Sequence, residues 1–299
     1  MKLQGRGSRS KKAEQVSKRI ARTLDAETQR VFTASDLGTL LAAHREEWKL
    51  GVDGAGRAFL AMLEEQVGVR KVVLQGATHR QQFVRYLWGD VSPVEVASSL
   101  RVPAYLSHSS AVFVHGLTEQ LPKVFYVNYE QSAKPKARGT LTQGGIDRAF
   151  QGKQRESTFA FEYGEYRFVL LSGKNTGRLE VQSKLLPSGG KVDVTSLERT
   201  LIDIAVRPTY AGGVHQVLDA YRGARELVSV GKLIAVLKQL DYVYPYHQAI
   251  GFYLERAGVT AKHAERVRAM GTKWRFYLAH GAREMEFDEK WQLFHPKGM

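Results

Sequence analysis

The sequence predicts an α+β protein, in which an N-terminal winged helix-turn-helix precedes a larger mixed α/β domain. Three observations predict this class. Between Ser35 and Trp88, two helical periodicities are joined by a glycine-rich turn and followed by two alternating strand patterns. From Ser92 onward, helix-start signals and strand patterns interleave without an internal repeat. At 299 residues and 43% apolar composition, the chain is long enough for two cores. The expected division is a disordered basic tail over 1–10, a winged helix over 11–91 and an α/β domain over 92–299.

Residues 1–10 are glycine, serine and basic residues with little to bury. A first helix is then expected, with Ala13, Val16, Ile20 and Leu24 inward and Lys11, Lys12, Lys18, Arg19 and Arg22 on the remaining surface. A short strand, RVFT, precedes SDLGTLLAAHREEW, a helix with Ser35 as its expected cap and Leu37, Leu40, Leu41, His44 and Trp48 on one face. The glycines of LGVDGAG permit the sharp turn into GRAFLAMLEEQ, where Ala58, Phe59, Met62 and Leu63 are expected inward. This second helix is the element that would enter a DNA groove. Within its first turn (Asp53, Gly54, Ala55, Gly56, Arg57), only Arg57 carries a side chain suited to a guanine edge. RKVVLQ and QFVRYLW follow as strands, with GATHR as the wing and His79 and Arg80 as its candidate phosphate contacts.

Ser92-Pro93-Val94-Glu95 combines a capping serine, proline at the first helical position and glutamate three residues on, and that helix must end before Pro103. SHSSAVFVHGL reads as a short helix capped by Ser107 and stopped at Gly116, and KVFYVNYE reads as a strand. Residues 131–155 read as a loop with six cations (Lys134, Lys136, Arg138, Arg148, Lys153, Arg155) and the single acid Asp147; its role stays open. A meander follows through STFAFEY, EYRFVLL and RLEVQSKLL. Thr195 and Glu198 read as a second capping box, opening SLERTLIDIAV. Three more helical segments and the short strands WRFYLA, REMEF and KWQLF close the chain.

The net charge of +14 is unevenly spread: residues 1–89 carry 16 Lys/Arg against 9 Asp/Glu, and the other 210 carry 28 against 21. The first third therefore has more than twice the charge density of the rest, which favours a phosphate backbone as partner. With no cysteine, thiol catalysis, disulfides and thiolate metal sites are excluded. No apolar run reaches membrane-span length and no secretory-signal pattern is present, so a cytoplasmic protein without membrane partner is expected. Ser107–His115 supplies serines and histidines but no Gly-x-Ser-x-Gly elbow; Gly212-Gly213 is followed by Asp219 alone; the nine histidines form no His-Glu-x-x-His. Neither an enzyme nor a cofactor is expected.

Four blocks together resemble the AbiEi-type antitoxins, bipartite transcriptional regulators of type IV toxin–antitoxin systems. They are YLSHSSAVFVHGLTEQLPKVFYVN (Tyr105–Asn128), VTSLERTLIDIAVRPTYAGGVHQVLDAY (Val194–Tyr221), YHQAIGFYLERAG (Tyr246–Gly258) and WQLFHP (Trp291–Pro296). The resemblance implies an N-terminal winged helix that binds double-stranded DNA at the operon's own promoter and represses it; the single base-reading side chain of the second helix also fits dimer-assisted binding to DNA. The resemblance also implies a C-terminal domain that neutralises a cognate AbiEii-like, nucleotidyltransferase-fold toxin in phage abortive infection. The alternative is a DNA-binding regulator whose C-terminal domain senses a ligand or partner and has no toxin.

Overall fold

The computed structural model describes residues 4–50, 56–78, 80–135 and 140–299, with side chains from residue 11 onward. It is a mixed α+β protein. The first six elements are α1 (Gln4–Ala26), β1 (Val31–Phe32), α2 (Ala34–Trp48), α3 (Arg57–Met62), β2 (Arg70–Gly76) and β3 (Gln82–Leu87). A stripe of Val16, Ile20 and Leu24 packs α1 against Leu37, Leu41, Trp48, Phe59, Leu63, Val69 and Tyr86. Ala13 and Ala58, expected inward, are exposed, and Met62 is half-buried. α1 opens at Gln4, inside the stretch expected to be disordered. Once the buried stripe fixes a nucleus, each further residue of helix gains a hydrogen bond for one residue's ordering.

α2 is capped by Thr33, not Ser35. Thr33 Oγ1 accepts from Asp36 N at 3.1 Å, and Asp36 Oδ2 accepts from Thr33 N at 2.7 Å, a reciprocal box that satisfies two orphan donors. α3 holds only six α-helical residues before passing into a π-helical turn, Leu63–Val67, that ends at Gly68 with φ 94°. The expected hinge residues 51–55 lie outside the described residues.

The remaining elements are α4 (Pro93–Ser98), β4 (Tyr105–Leu106), α5 (His108–Val114), β5 (Val124–Glu130), α6 (Gln143–Gln151), β6 (Ala160–Tyr163), β7 (Tyr166–Gly173), β8 (Val181–Leu185), β9 (Lys191–Thr195), α7 (Leu197–Val206), α8 (Val214–Ala224), α9 (Val230–Leu240), α10 (Tyr246–Arg256), α11 (Ala261–Arg268), β10 (Phe276–Tyr277), β11 (Met285–Asp288) and β12 (Leu293–Pro296). Helices α7–α11 build the largest core, closed by Phe276 and Leu293 from the terminal three-stranded sheet and by Trp291 in the turn before β12. Two helices were not expected: α6, inside the segment read as a loop, and α11. α6 begins Gln-Gly-Gly, a poor helix start, but Thr142 caps it and Ile146 and Phe150 are buried.

Nine strands form one sheet in the order β1-β3-β2-β6-β7-β5-β4-β9-β8. The sheet therefore runs across the expected 91/92 boundary: β2 pairs antiparallel with β6 through Gln75–Glu162 and Gly76–Phe161. Arg85, 6% exposed, fastens the same junction from β3. Its guanidinium donates to Val84 O (2.8 Å), Ser99 O (2.7 Å), Ser99 Oγ (3.1 Å) and Leu100 O (3.2 Å). Those last carbonyls lie at the C-terminal end of α4, where backbone acceptors lack helical partners. Across the junction the rings of Phe83 and Phe161 sit 4.7 Å apart.

The second capping box is also shifted by one residue. Ser196 Oγ accepts from Arg199 N, while Thr195 Oγ1 bonds Thr200 Oγ1 at 2.8 Å. Glu198, freed from the cap, accepts from Ser229 N at the start of α9 and lies 3.4 Å from Lys232 Nζ. Arg199 forms a buried ion pair with Asp203 at 2.8 Å.

Candidate nucleic-acid interface

The cations of α1 are sorted by helix geometry. At about 100° per residue, Lys11, Lys18 and Arg22 fall within roughly 40° of one another, and Lys12 and Arg19 flank them on one side. The buried stripe of Val16, Ile20 and Leu24 lies on the opposite side. Lys11, Lys12, Lys18 and Arg22 are exposed and Arg19 is half-buried. Lys18 also reaches Glu14 at 2.7 Å, one turn back, which offsets part of its charge.

The C-terminal half of α1 is held rigidly. Trp48 Nε1 donates to Thr23 Oγ1 (3.0 Å) and Trp88 Nε1 to Asp25 Oδ1 (2.9 Å). Arg30 turns back on the helix end, donating to Leu24 O (3.2 Å) and Asp25 O (3.4 Å). Arg30 is thus a helix-capping cation, whereas the α1 cations project outward.

Arg57 is exposed at the first residue of α3, beside Gly56 at φ 76°. The outward positions that follow it are Ala58 and Ala61, which offer methyl groups and no hydrogen bonds. Glu64 is half-buried near Tyr86, where burial and then the Glu64 charge hold the phenol above its ordinary pKa. Arg80 is exposed at the hairpin tip; His79 lies outside the described residues. The tip is anchored. Gly76 N donates to Gln81 O, Ala77 N to Ala160 O (2.8 Å), and Thr78 Oγ1 to Thr158 O (3.3 Å).

Arg70 and Lys71, both exposed at the head of β2, add cations that the sequence reading left out. Their signal was the adjacent RK pair at the start of an otherwise apolar strand. Lys134, Arg148, Lys153 and Arg155 are exposed in or beside α6, while Lys136 and Arg138 lie outside the described residues.

The Ser107–His108 pair is buried. Ser107 Oγ and His108 Nδ1 are 2.9 Å apart at 1% and 8% exposure, and His108 packs edge-on to Tyr210 and Tyr126. Burial first, then the Arg207 and Arg199 charges, push the imidazole down to about 3, so it is neutral at physiological pH. Among the described residues no group of three or more His, Asp or Glu could hold a metal ion, and no helix is long and apolar enough to cross a membrane.

No protein-family model matches the chain, and no curated protein matches it. Its fold is similar to that in the crystal structure of the RV2827C protein from Mycobacterium tuberculosis, with a TM-score of 0.55 at 15% identity. The superposition covers 94% of this chain and 91% of that one, so the likeness extends through the N-terminal helices, the sheet and the α-helical end alike.

Proposed function

We propose that the chain is a double-stranded-DNA-binding regulator whose first 91 residues form a winged helix-turn-helix. The observation that carries the reading is the α1-β1-α2-α3-β2-β3 order, with β1-β3-β2 antiparallel and the α1 cations opposite the shared core. In this reading Lys11, Lys12, Lys18, Arg19, Arg22, Arg70, Lys71 and Arg80 bond phosphates, which fixes position and supplies affinity. Arg57 supplies the base contact. One strong base-reading side chain on a short helix means that phosphate contacts dominate, and that specificity is modest for a single copy.

The resemblance of four sequence blocks to AbiEi-type antitoxins extends the proposal. The chain represses its own promoter, and residues 92–299 counter a cognate nucleotidyltransferase-fold toxin without catalysis of their own, in the cytoplasm. Electrophoretic mobility shifts on the gene's own upstream DNA, against unrelated duplex, test the first half: salt-sensitive retardation with preference for the upstream DNA is expected. Co-expression with the neighbouring gene's product tests the second. Relief of growth arrest is expected, and growth arrest unrelieved by this chain would remove the antitoxin half.

A further inference from the structure

The nine-stranded sheet ends in two different ways. One edge is β1, only two residues long, which leaves little for another chain to pair with. The other edge is β8, the five residues Val181-Gln182-Ser183-Lys184-Leu185, with no further strand beside it among the described residues. The small sheet offers a contrast. Its outer strand β11 carries Glu286 and Asp288 and is flanked by Glu284 and Glu289, so two copies would repel there.

β8 lacks that protection. Its one ionisable side chain, Lys184, is folded onto the body of the protein, where Nζ donates to Val114 O at 2.7 Å. Leu185 is 66% exposed. The ladder fixes which backbone groups look outward. Leu186 N donates to Gly190 O and Ser196 N to Glu180 O, so in the β8–β9 register the even-numbered residues exchange bonds with β9. Val181, Ser183 and Leu185 therefore turn their peptide groups away from β9. The Val181 N–H is already given to Arg178 O at 3.0 Å.

This edge is complementary to itself. Two copies placed antiparallel about Ser183 bring Ser183 opposite Ser183, Val181 opposite Leu185 and Gln182 opposite Lys184. No like charges meet, and the exposed leucine finds an apolar partner. The outward groups match as well: Ser183 N–H meets Ser183 C=O twice, and Leu185 N–H meets Val181 C=O twice. The Val181 N–H, used within its own chain, is not needed. Asp193, beside Ser183 on the same face, stays at its own Arg178 and lies about three strand spacings from its counterpart, roughly 14 Å.

We infer that β8 is a self-association edge, through which two copies of this chain join their sheets antiparallel about Ser183. The inference is independent of DNA binding, because it is read on the free protein. The absence of cysteine from the sequence makes the register directly testable. In the full-length chain, Ser183→Cys places one thiol at the two-fold. Directly opposed residues of a hydrogen-bonded antiparallel pair have Cα atoms about 5.5 Å apart, within disulfide reach. Leu185→Cys is the control, since its counterpart in the partner copy is four residues along the strand, about 14 Å away.

Under mild oxidation Ser183→Cys should migrate almost entirely as a cross-linked dimer on non-reducing gels, and Leu185→Cys should stay monomeric. Absence of cross-linking in Ser183→Cys, or equal cross-linking of both variants, would overturn the inference. A second measurement guards against distortion by the thiol. Ser183→Pro removes an outward N–H and the Ser183 Oγ bond to Asp193 but leaves the backbone bonds to β9, so its far-ultraviolet circular dichroism should match the native chain. Sedimentation should show concentration-dependent dimer for the native chain and monomer for this variant; identical sedimentation of the two would equally refute the pairing.

Discussion

Replacing Arg85 with Met should cost about 2–4 kcal/mol of stability, the sharpest consequence of the continuous sheet. The guanidinium is buried, and desolvation holds its pKa below the ordinary arginine value. It is retained because it serves four acceptors, among them Ser99 O and Leu100 O at the end of α4. Met fills similar volume but donates nothing. The buried Leu100 carbonyl and the half-buried Ser99 carbonyl then lose a charged partner, at roughly 1–3 kcal/mol each, and relief of the buried charge offsets part of that loss. Urea unfolding followed by fluorescence measures the change as a shift in midpoint at constant slope. Arg85→Lys, able to serve one or two of the acceptors, should fall between. A loss under about 1 kcal/mol for Arg85→Met would show that the junction does not depend on this residue, and the argument from unsatisfied acceptors would fail.

Three further outcomes are expected. Gly251→Ala should destabilise the C-terminal core by about 2–4 kcal/mol, because its Cβ would lie 2.1 Å from two ring atoms of Trp291, a fully buried indole; reduced thermal midpoint and a red-shifted tryptophan emission would register the expulsion. A pH series should separate the native chain from His108→Gln. The folded pKa of His108 is depressed to about 3 from an ordinary 6.5, so its contribution is intact above about 6.5 and is lost as pH falls toward 3; between pH 6.5 and 5 the native chain should lose roughly 1.5–2 kcal/mol more than the variant, and parallel curves would contradict the assignment. A fragment beginning at Ser92 should be poorly soluble and unfold non-cooperatively in urea, since β6 loses β2 and Phe161 loses Phe83; a cooperative, soluble fragment would show that the two parts are separable.

The helical elements around the N-terminal core were legible because burial imposes its period directly on α1 and α2, as Val16, Ile20, Leu24, Leu37 and Leu41 show. The Ser92 cap, with Pro93 at the first helical position and Glu95 accepting from Ser92 N, was legible as it stands; the caps of α2 and α7 were legible only to within a residue or two. Ser35 and Thr33 carry equivalent hydroxyls, and the choice fell to Thr33 because Asp36 stands three residues beyond it. Ser196 displaced Thr195 in the same way, and Glu198 went to the next helix instead. The β2–β6 pairing was not legible. It joins strands 85 residues apart, and no local pattern in RKVVLQG names a partner beyond its own hairpin. For the same reason nothing in GATHR shows that the wing is held by a backbone bond to Ala160 and a side-chain bond to Thr158. Arg30 and Arg85 count toward the basic excess of the first 89 residues, but both are spent on carbonyls at helix ends, which no local pattern in the sequence marks.

The central claim, a cationic face of α1 that meets the phosphate backbone, is tested most directly by the salt dependence of binding to the gene's upstream duplex. Fluorescence anisotropy across a salt series gives the log–log slope for the native chain and for the Lys11→Ala, Lys18→Ala, Arg22→Ala triple variant. The slope should become shallower by about 2–3, close to one unit per lost phosphate contact, with affinity falling alike on upstream and unrelated DNA. An unchanged slope in the triple variant, or a native chain that binds neither duplex at low salt, would contradict the account.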